Sequence, residues 1–487
     1  MNILISTMLI PFIGCFFLLF TSNTKTVWSI GLWTSVLCFC NSLLLWLFFD
    51  YSVAGYQFLT FLSCFSIFEI PVGVDGISLF FILLTTLLIP LCLLGSIESI
   101  TINIKEYVFC FLLIEGFILC VFSFLDLFAF YIFFESVLIP IFLVITLWGS
   151  RERKIRASYL FFMYTFVGSI LMLVAIAFIF TTVGSTSLMD LMAYNFSESV
   201  QCFLWLAFFA SFAVKVPLVP FHIWLPEAHV EAPTAGSVIL AGILLKLGSY
   251  GLIRFSIPLF PFASVYFTPL VYTICVVSVI YTSLTAIRQT DIKRVIAYAS
   301  VAHMAITIIG LFSFTMQGVE GSVFQMLSHG LVSGALFLCV GVLYNRGHSR
   351  IIKYYSGVAQ TIPLFVTVFL FITLANIGFP GTSSFIGEFL IILGVFKTNT
   401  VVAVFSGLSM VLGGCYSLWL FNRISFGNLK TVHVGVFNDL NRLEIFTFLP
   451  LVILVLFTGI FPSFILSPME STVVNYIQLI FLWCSII

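Results

Sequence analysis

Charge is scarce in this chain. Only 8% of its 487 residues are Asp, Glu, Lys or Arg and 61% are hydrophobic, against roughly 25% charged in a soluble domain. That excludes a water-soluble fold. No polar stretch is long enough for a separate soluble domain, so residues 1–487 read as a single membrane domain. Nucleotide loops are missing as well: neither GxGxxG after a strand nor GxxxxGK[ST] occurs. The twelve cysteines are scattered, with Cys38 and Cys40 the one close pair, whereas an iron–sulfur cluster needs four gathered thiolates. They read as packing residues, and no redox centre is implied. The first residues, MNILISTMLIPFIGCFFLLF, lack an Arg- and Ser-rich presequence and a small-residue cleavage site, which predicts a retained first span.

What is there instead is a succession of apolar windows, each near the roughly 20 residues that a bilayer demands. They predict an all-α polytopic membrane protein of about fourteen spans, because lipid requires internally satisfied backbones. The windows fall near 2–21, 28–49, 77–97, 107–124, 125–149, 158–182, 202–226, 234–255, 265–286, 292–314, 319–343, 361–396, 401–425 and 445–466. The twelfth is long and interrupted, and the apolar tail Val473–Ile487 is too brief to count.

Basic residues test this topology. Of nineteen Lys and Arg, fifteen fall in loops after odd-numbered windows: Lys25, Lys105, Arg151, Arg153, Lys154, Arg156, Arg288, Lys293, Arg294, Arg346, Arg350, Lys353, Arg423, Lys430 and Arg442. The other side receives Arg254 and Lys397. The odd-numbered loops therefore face the cytoplasm or matrix. Lys215 and Lys246 belong to neither side, since both lie near the middle of a window.

Four more ionisable residues share that depth: Glu135 in FYIFFESVLIP, His303 in SVAHMA, His329 in QMLSHGL and Glu388 in GTSSFIGEFL. A central charge costs roughly 2.5 to 3.5 kcal/mol on insertion scales. Six such groups at one depth favour a connected polar path over isolated core residues, although a structural Glu135–Lys215 pair with satisfied core histidines is the plain alternative. Carboxylate, amine and imidazole can all be tuned to exchange protons, and no arginine is among them. Glu115 in CFLLIEGFILC is a seventh candidate, for which a structural role is open as well.

Pro217 and Pro220 should break the seventh span just after Lys215, and Pro380 with Gly381 should break the twelfth before Glu388. Broken helices in matching halves point to an ion site in inverted-repeat transporters. Glu135 precedes Lys215 by 80 residues and His303 precedes Glu388 by 85, which would pair span five with ten and seven with twelve. In VKVPLVPFHIWLPEAHVEAP, His222 falls in the half-helix beyond the break, with a proton-intake or an interfacial role. Pro226, Glu227, His229, Glu231 and Pro233 read as the turn into span eight.

The segment FFASFAVKVPLVPFHIWLPEAHVEAPTAGSVILAGILLKLGSYG, with FYIFFESVLIP, SVAHM, LSHGL and NIGFPGTSSFIGEF, resembles the subunit 4 family of NADH:ubiquinone oxidoreductase, respiratory complex I. The resemblance runs from about Asp75 to Arg442; the ends match only in general character. It implies two inverted five-helix repeats, at 107–255 and 265–425, between N-terminal helices in 1–106 and a C-terminal helix and tail in 445–487. It also implies broken helices 7 and 12, and proton-pathway roles for Glu135, Lys215, Lys246, His303, His329 and Glu388. Related subunits 2 and 5 and cation/proton antiporters typically carry lysine at the helix-12 site, so Glu388 favours subunit 4. NADH, FMN, iron–sulfur clusters and ubiquinone would then serve the whole complex, with no cofactor or metal on this chain. The implied partners are antiporter-like subunits 2 and 5, accessory subunits and lipid, without nucleic acid. The implied location is the mitochondrial inner membrane, or alternatively a bacterial plasma membrane. A stand-alone cation/proton antiporter subunit is the competing function.

Overall fold

The computed structural model describes residues 2–64, 68–435 and 437–485. Helices underlie every expected window. Among the described residues twelve are long and apolar enough to cross a membrane, and Ile3–Leu19 and Pro363–Ile377 are shorter apolar helices. Covering is uneven: protein buries 28% of the apolar stretch in Thr24–Leu47 but 100% in Thr234–Leu259 and Met316–Gly347. Those last two, with Gly76–Ser96 and Ile292–Leu311, form the axis of the molecule. Peripheral helices such as Lys154–Val183 turn large apolar side chains outward, Met163, Val167 and Val174 among them.

Local chemistry explains where the helices start and how they stay satisfied. Asp75 caps Gly76–Ser96, accepting from the Ser78 N–H at 2.8 Å while Ser78 Oγ accepts from the Asp75 N–H at 2.9 Å, a reciprocal capping box. Most mid-helix hydroxyls bond back to the preceding turn, as Thr85 does to the Phe81 carbonyl at 2.7 Å, although Ser211, Ser256 and Ser283 Oγ are buried without a partner. Glycines let the two axial helices meet. A Cβ on Gly330 would stand 2.9 Å from the Gly242 carbonyl oxygen and 2.7 Å from Leu84. Such backbone contact between membrane helices needs small residues.

Four expectations are corrected. The segment between the second and third windows is a β-hairpin, Gln57–Cys64 pairing antiparallel with Phe68–Val74 through Thr60–Val72 and Leu62–Ile70. Arg254 is no loop residue: it is buried in a π-helical turn, Leu252–Ser256, and donates to Asp75 at 2.7 Å and to Tyr56 and Tyr250 at 3.0 Å. It thereby ties the hairpin to the axis. Lys293, also assigned to a loop, is the second residue of Ile292–Leu311 and is buried, whereas Arg350 is in a loop as expected but buried there. The tail, described to Ser485, belongs to a helix from Ser463 that packs on Gly76–Ser96 and Met316–Gly347.

Candidate functional site

Both expected breaks are present. The helix Glu198–Lys215 stops at Lys215 and the chain resumes as Trp224–Glu231. Proline cannot donate to the preceding turn, and neighbours satisfy the freed groups: the Trp224 indole donates to the Val214 carbonyl at 2.9 Å and the Val219 N–H to Ser278 Oγ at 3.0 Å. His222 lies in this unwound link, not in the half-helix beyond, beside the rings of Tyr281 and Tyr298. Glu227, His229 and Glu231 belong to the resumed helix, which corrects the expected turn. The second break separates Pro363–Ile377 from Ser383–Thr398. Gly378 closes the first half in the left-handed conformation, φ 81°, with the Phe379 N–H donating to the Leu374 carbonyl at 3.1 Å.

A third interruption sits beside Glu135. The span Leu127–Trp148 is divided after Ser136, and the cause is Pro140, whose missing N–H leaves the Ser136 carbonyl without its helical donor. The Lys246 helix is interrupted differently, by π-helical turns at Leu240–Leu244 and Leu252–Ser256 on either side of the lysine. π-Turns inside α-helices often mark functional positions.

The ionisable side chains form two groups. In the first, Lys215 Nζ lies 3.9 Å from Glu135 Oε1 and 4.4 Å from the centre of the Phe134 ring. Neither carboxylate oxygen has a hydrogen bond, and neither does the amine. In the second, Lys246 Nζ lies 2.7 Å from His329 Nδ1 and donates to the Ala241 carbonyl at 2.5 Å. The His329 and His303 rings are 5.7 Å apart, and His303 Nδ1 is 3.0 Å from Glu388 Oε1. That last contact has ion-pair distance without hydrogen-bond alignment. Gln325 Nε2 donates to the same oxygen at 3.2 Å, and Ser328 Oγ donates to Gln325 Oε1 at 3.0 Å. Among the described residues no hydrogen bond or ion pair joins Lys215 to Lys246, although their helices touch where a Cβ on Gly248 would come 3.0 Å from Lys215 Cβ.

Glu115 stands apart from both groups. It is wholly buried on Ile104–Ser123, near Cys38, with both oxygens unpartnered. Reading the sequence missed Gln325, one turn before His329 on the same helix face, and missed that His229 and Lys293 are buried. A polar residue four positions from a mid-span histidine was the available signal for Gln325. Among the described residues no three His, Cys, Asp or Glu side chains gather as a metal site.

The arrangement is therefore a row of carboxylate, amine and imidazole side chains that can exchange protons. Known proteins share its architecture. Residues 125–414 match the family model described as NADH:quinone oxidoreductase/Mrp antiporter, TM. The NADH-ubiquinone oxidoreductase chain 4 of Chondrus crispus is 55% identical over 98% of both chains, and that of Marchantia polymorpha 54% identical over 96% of both. A chain of respiratory complex I from Thermus thermophilus, solved with bound NADH, superposes with a TM-score of 0.90 at 30% identity, covering 99% of this chain and 100% of that one. The chain belongs to the NADH:quinone oxidoreductase/Mrp antiporter family of multi-pass membrane subunits, within the group of relatives called NADH-ubiquinone oxidoreductase chain 4.

Proposed function

We propose that this chain is a proton-translocating membrane-arm subunit of an NADH:ubiquinone oxidoreductase, driven by electron transfer from NADH to ubiquinone in other subunits. The observation that carries the reading is the buried run from Lys246 through His329 and His303 to Glu388, with its 2.7 Å and 3.0 Å contacts. Each member can take and release a proton, and their desolvation in a membrane interior has no other evident return. Lys215 and Glu135 serve as a second station, where the 3.9 Å separation leaves room for the pair to open as a proton passes. The placement of one station at each broken helix supports the reading of two inverted repeats, 107–255 and 265–425.

In this reading the chain is part of an enzyme as a translocase subunit, and NADH, FMN, iron–sulfur clusters and ubiquinone act elsewhere in the complex. Its partners are the antiporter-like subunits 2 and 5, accessory subunits and lipid, in the mitochondrial inner membrane or a bacterial plasma membrane. The test is Lys215→Met in the assembled complex. Its expected result is loss of NADH-linked proton pumping in vesicles, and full pumping at the parent proton-to-electron ratio would overturn the proposal. The family description also covers Mrp antiporters. Purification separates the two: a chain recovered without NADH dehydrogenase partners, yet exchanging sodium for protons, is a stand-alone antiporter.

A further inference from the structure

A cavity of about 440 Å³ opens where the basic loops converge. Exposed Glu98, Ser99 and Asn345 stand at its mouth, while Lys293 and Arg350, 3% and 1% exposed, lie at its floor. Backbone pairing brings the two cations together: the Ile292 N–H donates to the Arg350 carbonyl at 3.0 Å and the Ile352 N–H to the Thr290 carbonyl at 3.0 Å.

Arg350 differs from the other arginines that pack against the protein. Arg254 holds Asp75, Arg294 holds Glu227 and Arg346 holds Glu444, each at 2.7 Å. Arg350 is more deeply buried than any of them, yet among the described residues it makes no ion pair. Its Nη2 donates to Ser150 Oγ, its Cζ lies 5.0 Å from the centre of the Tyr344 ring, and Nη1 is buried without a partner. A guanidinium offers five donors, and a buried charge is costly unless it is paired and hydrogen-bonded.

Lys293 is in a similar position. Its amine donates to the Ala232 carbonyl at 2.7 Å and to Ser237 Oγ at 3.1 Å, which leaves one of its three donors uncommitted. The acidic groups around the cavity are otherwise engaged or turned away. Asp291 accepts from the Lys293 backbone N–H at 2.9 Å as the cap of their helix, and Glu98 is exposed at the mouth. Glu231, whose field reaches Lys293, is buried with one carboxylate oxygen unpartnered. None of the three forms an ion pair with either cation. What lines the cavity is therefore a guanidinium, an ammonium and the hydroxyls of Ser99 and Ser150.

We propose that this cavity binds a phosphate group, carried either by a soluble anion or by a lipid headgroup. Arg350 meets its oxygens through the guanidinium edge that bears Nη1, and Lys293 adds a point charge through its remaining donor. Basic pockets between helices on this face of a membrane protein suit phosphate headgroups. At roughly 30 Å³ per water, the space holds a phosphate together with several waters. Ser150 belongs to the segment 107–255 and both cations to 265–425, so the ligand bridges the two halves of the chain.

The experiment uses the chain in its native membrane assembly, purified in maltoside micelles with its size checked on native gels. Asn345→Cys places a thiol at the mouth, and its rate of reaction with a maleimide is read against the parent chain. One arm compares inorganic phosphate, succinate and chloride at a single ionic strength, and a second adds phosphatidylglycerol to the micelles in chloride. At about ten times its half-protecting concentration, the phosphate source that binds is expected to slow labelling about tenfold, because only unliganded chains react. Succinate and chloride should leave the rate unchanged. Protection by inorganic phosphate assigns the site to a soluble anion, and protection by phosphatidylglycerol alone assigns it to a headgroup. Arg350→Lys in the same background keeps the charge but loses the planar fork, and should raise the half-protecting concentration about tenfold or more. Labelling that neither phosphate source slows overturns the proposal, as does equal protection by succinate or protection that Arg350→Lys leaves intact. If Arg350→Lys does not assemble, the Asn345→Cys arms still decide, because they alter neither buried cation.

Discussion

The two broken helices carry opposite charges on opposite sides of their breaks. Lys215 is the last residue of the helix before its break, and Glu388 lies in the second turn of the helix after its own. Helix carbonyl ends favour cations and N–H ends favour anions, so each charge faces the end that suits its sign. The pairs differ in tightness, however. Glu135 and Lys215 are 3.9 Å apart with no hydrogen bond on either, whereas Glu388 meets His303 at 3.0 Å and is held by Gln325. One station is loose and the other is braced. The loose station is also the one with no side-chain link to Lys246, so transfer between the halves has to rely on water or on a rearrangement at the Pro217–Pro220 break.

The braced station should be the easier one to destroy with a single change. Glu388→Gln removes the proton-exchanging group while keeping its shape and the Gln325 contact, and it is expected to lower NADH-driven proton uptake about tenfold or more. Native gels should show the complex at full size. Uptake at the parent rate in that complex would remove the second station from the pathway.

Bracing extends to the backbone, which gives a subtler way to disturb it. A Cβ on Gly378 would lie 3.0 Å from Glu388 Oε2, and the residue has φ 81°. Gly378→Ala therefore costs about 1–2 kcal/mol in the left-handed conformation and pushes the carboxylate away from its seat. The expected outcome is a several-fold loss of uptake with a lowered melting temperature of the complex. A lowered melting temperature with uptake intact would show that the position of Oε2 is irrelevant to transfer.

This contrast was only partly legible in the sequence. Apolar windows mark helices because desolvating a helix surface is a bulk property, and mid-window charges stand out against it. Pro217 and Pro380 announce their breaks by their own chemistry. Pro140 has the same effect beside Glu135, yet an isolated proline in LIPIF does not by itself disclose where the kink falls. The C-terminal helix escaped because Pro468, Glu470 and Ser471 interrupt its apolar run. Lys293 escaped because a lysine one residue into a helix that opens on Asp291 resembles a loop residue until the helix Trp224–Glu231 is seen to cover it. Distances between helices are tertiary facts, so the looseness of one pair and the bracing of the other had no sequence signature.

Shortening each carboxylate by one methylene measures that difference directly. At an effective dielectric near 20, moving a charge from about 4 to about 5 Å weakens its attraction by roughly 1 kcal/mol. Glu135→Asp has no hydrogen bond to lose beyond that, so a fall in uptake of about fivefold at most is expected. Glu388→Asp withdraws the carboxylate from His303 and from Gln325 together, and should cost more. Uptake measured side by side in the two variants decides the point. If Glu135→Asp proves the more damaging, the 3.9 Å pair is the constrained station and the ranking of the two breaks is reversed.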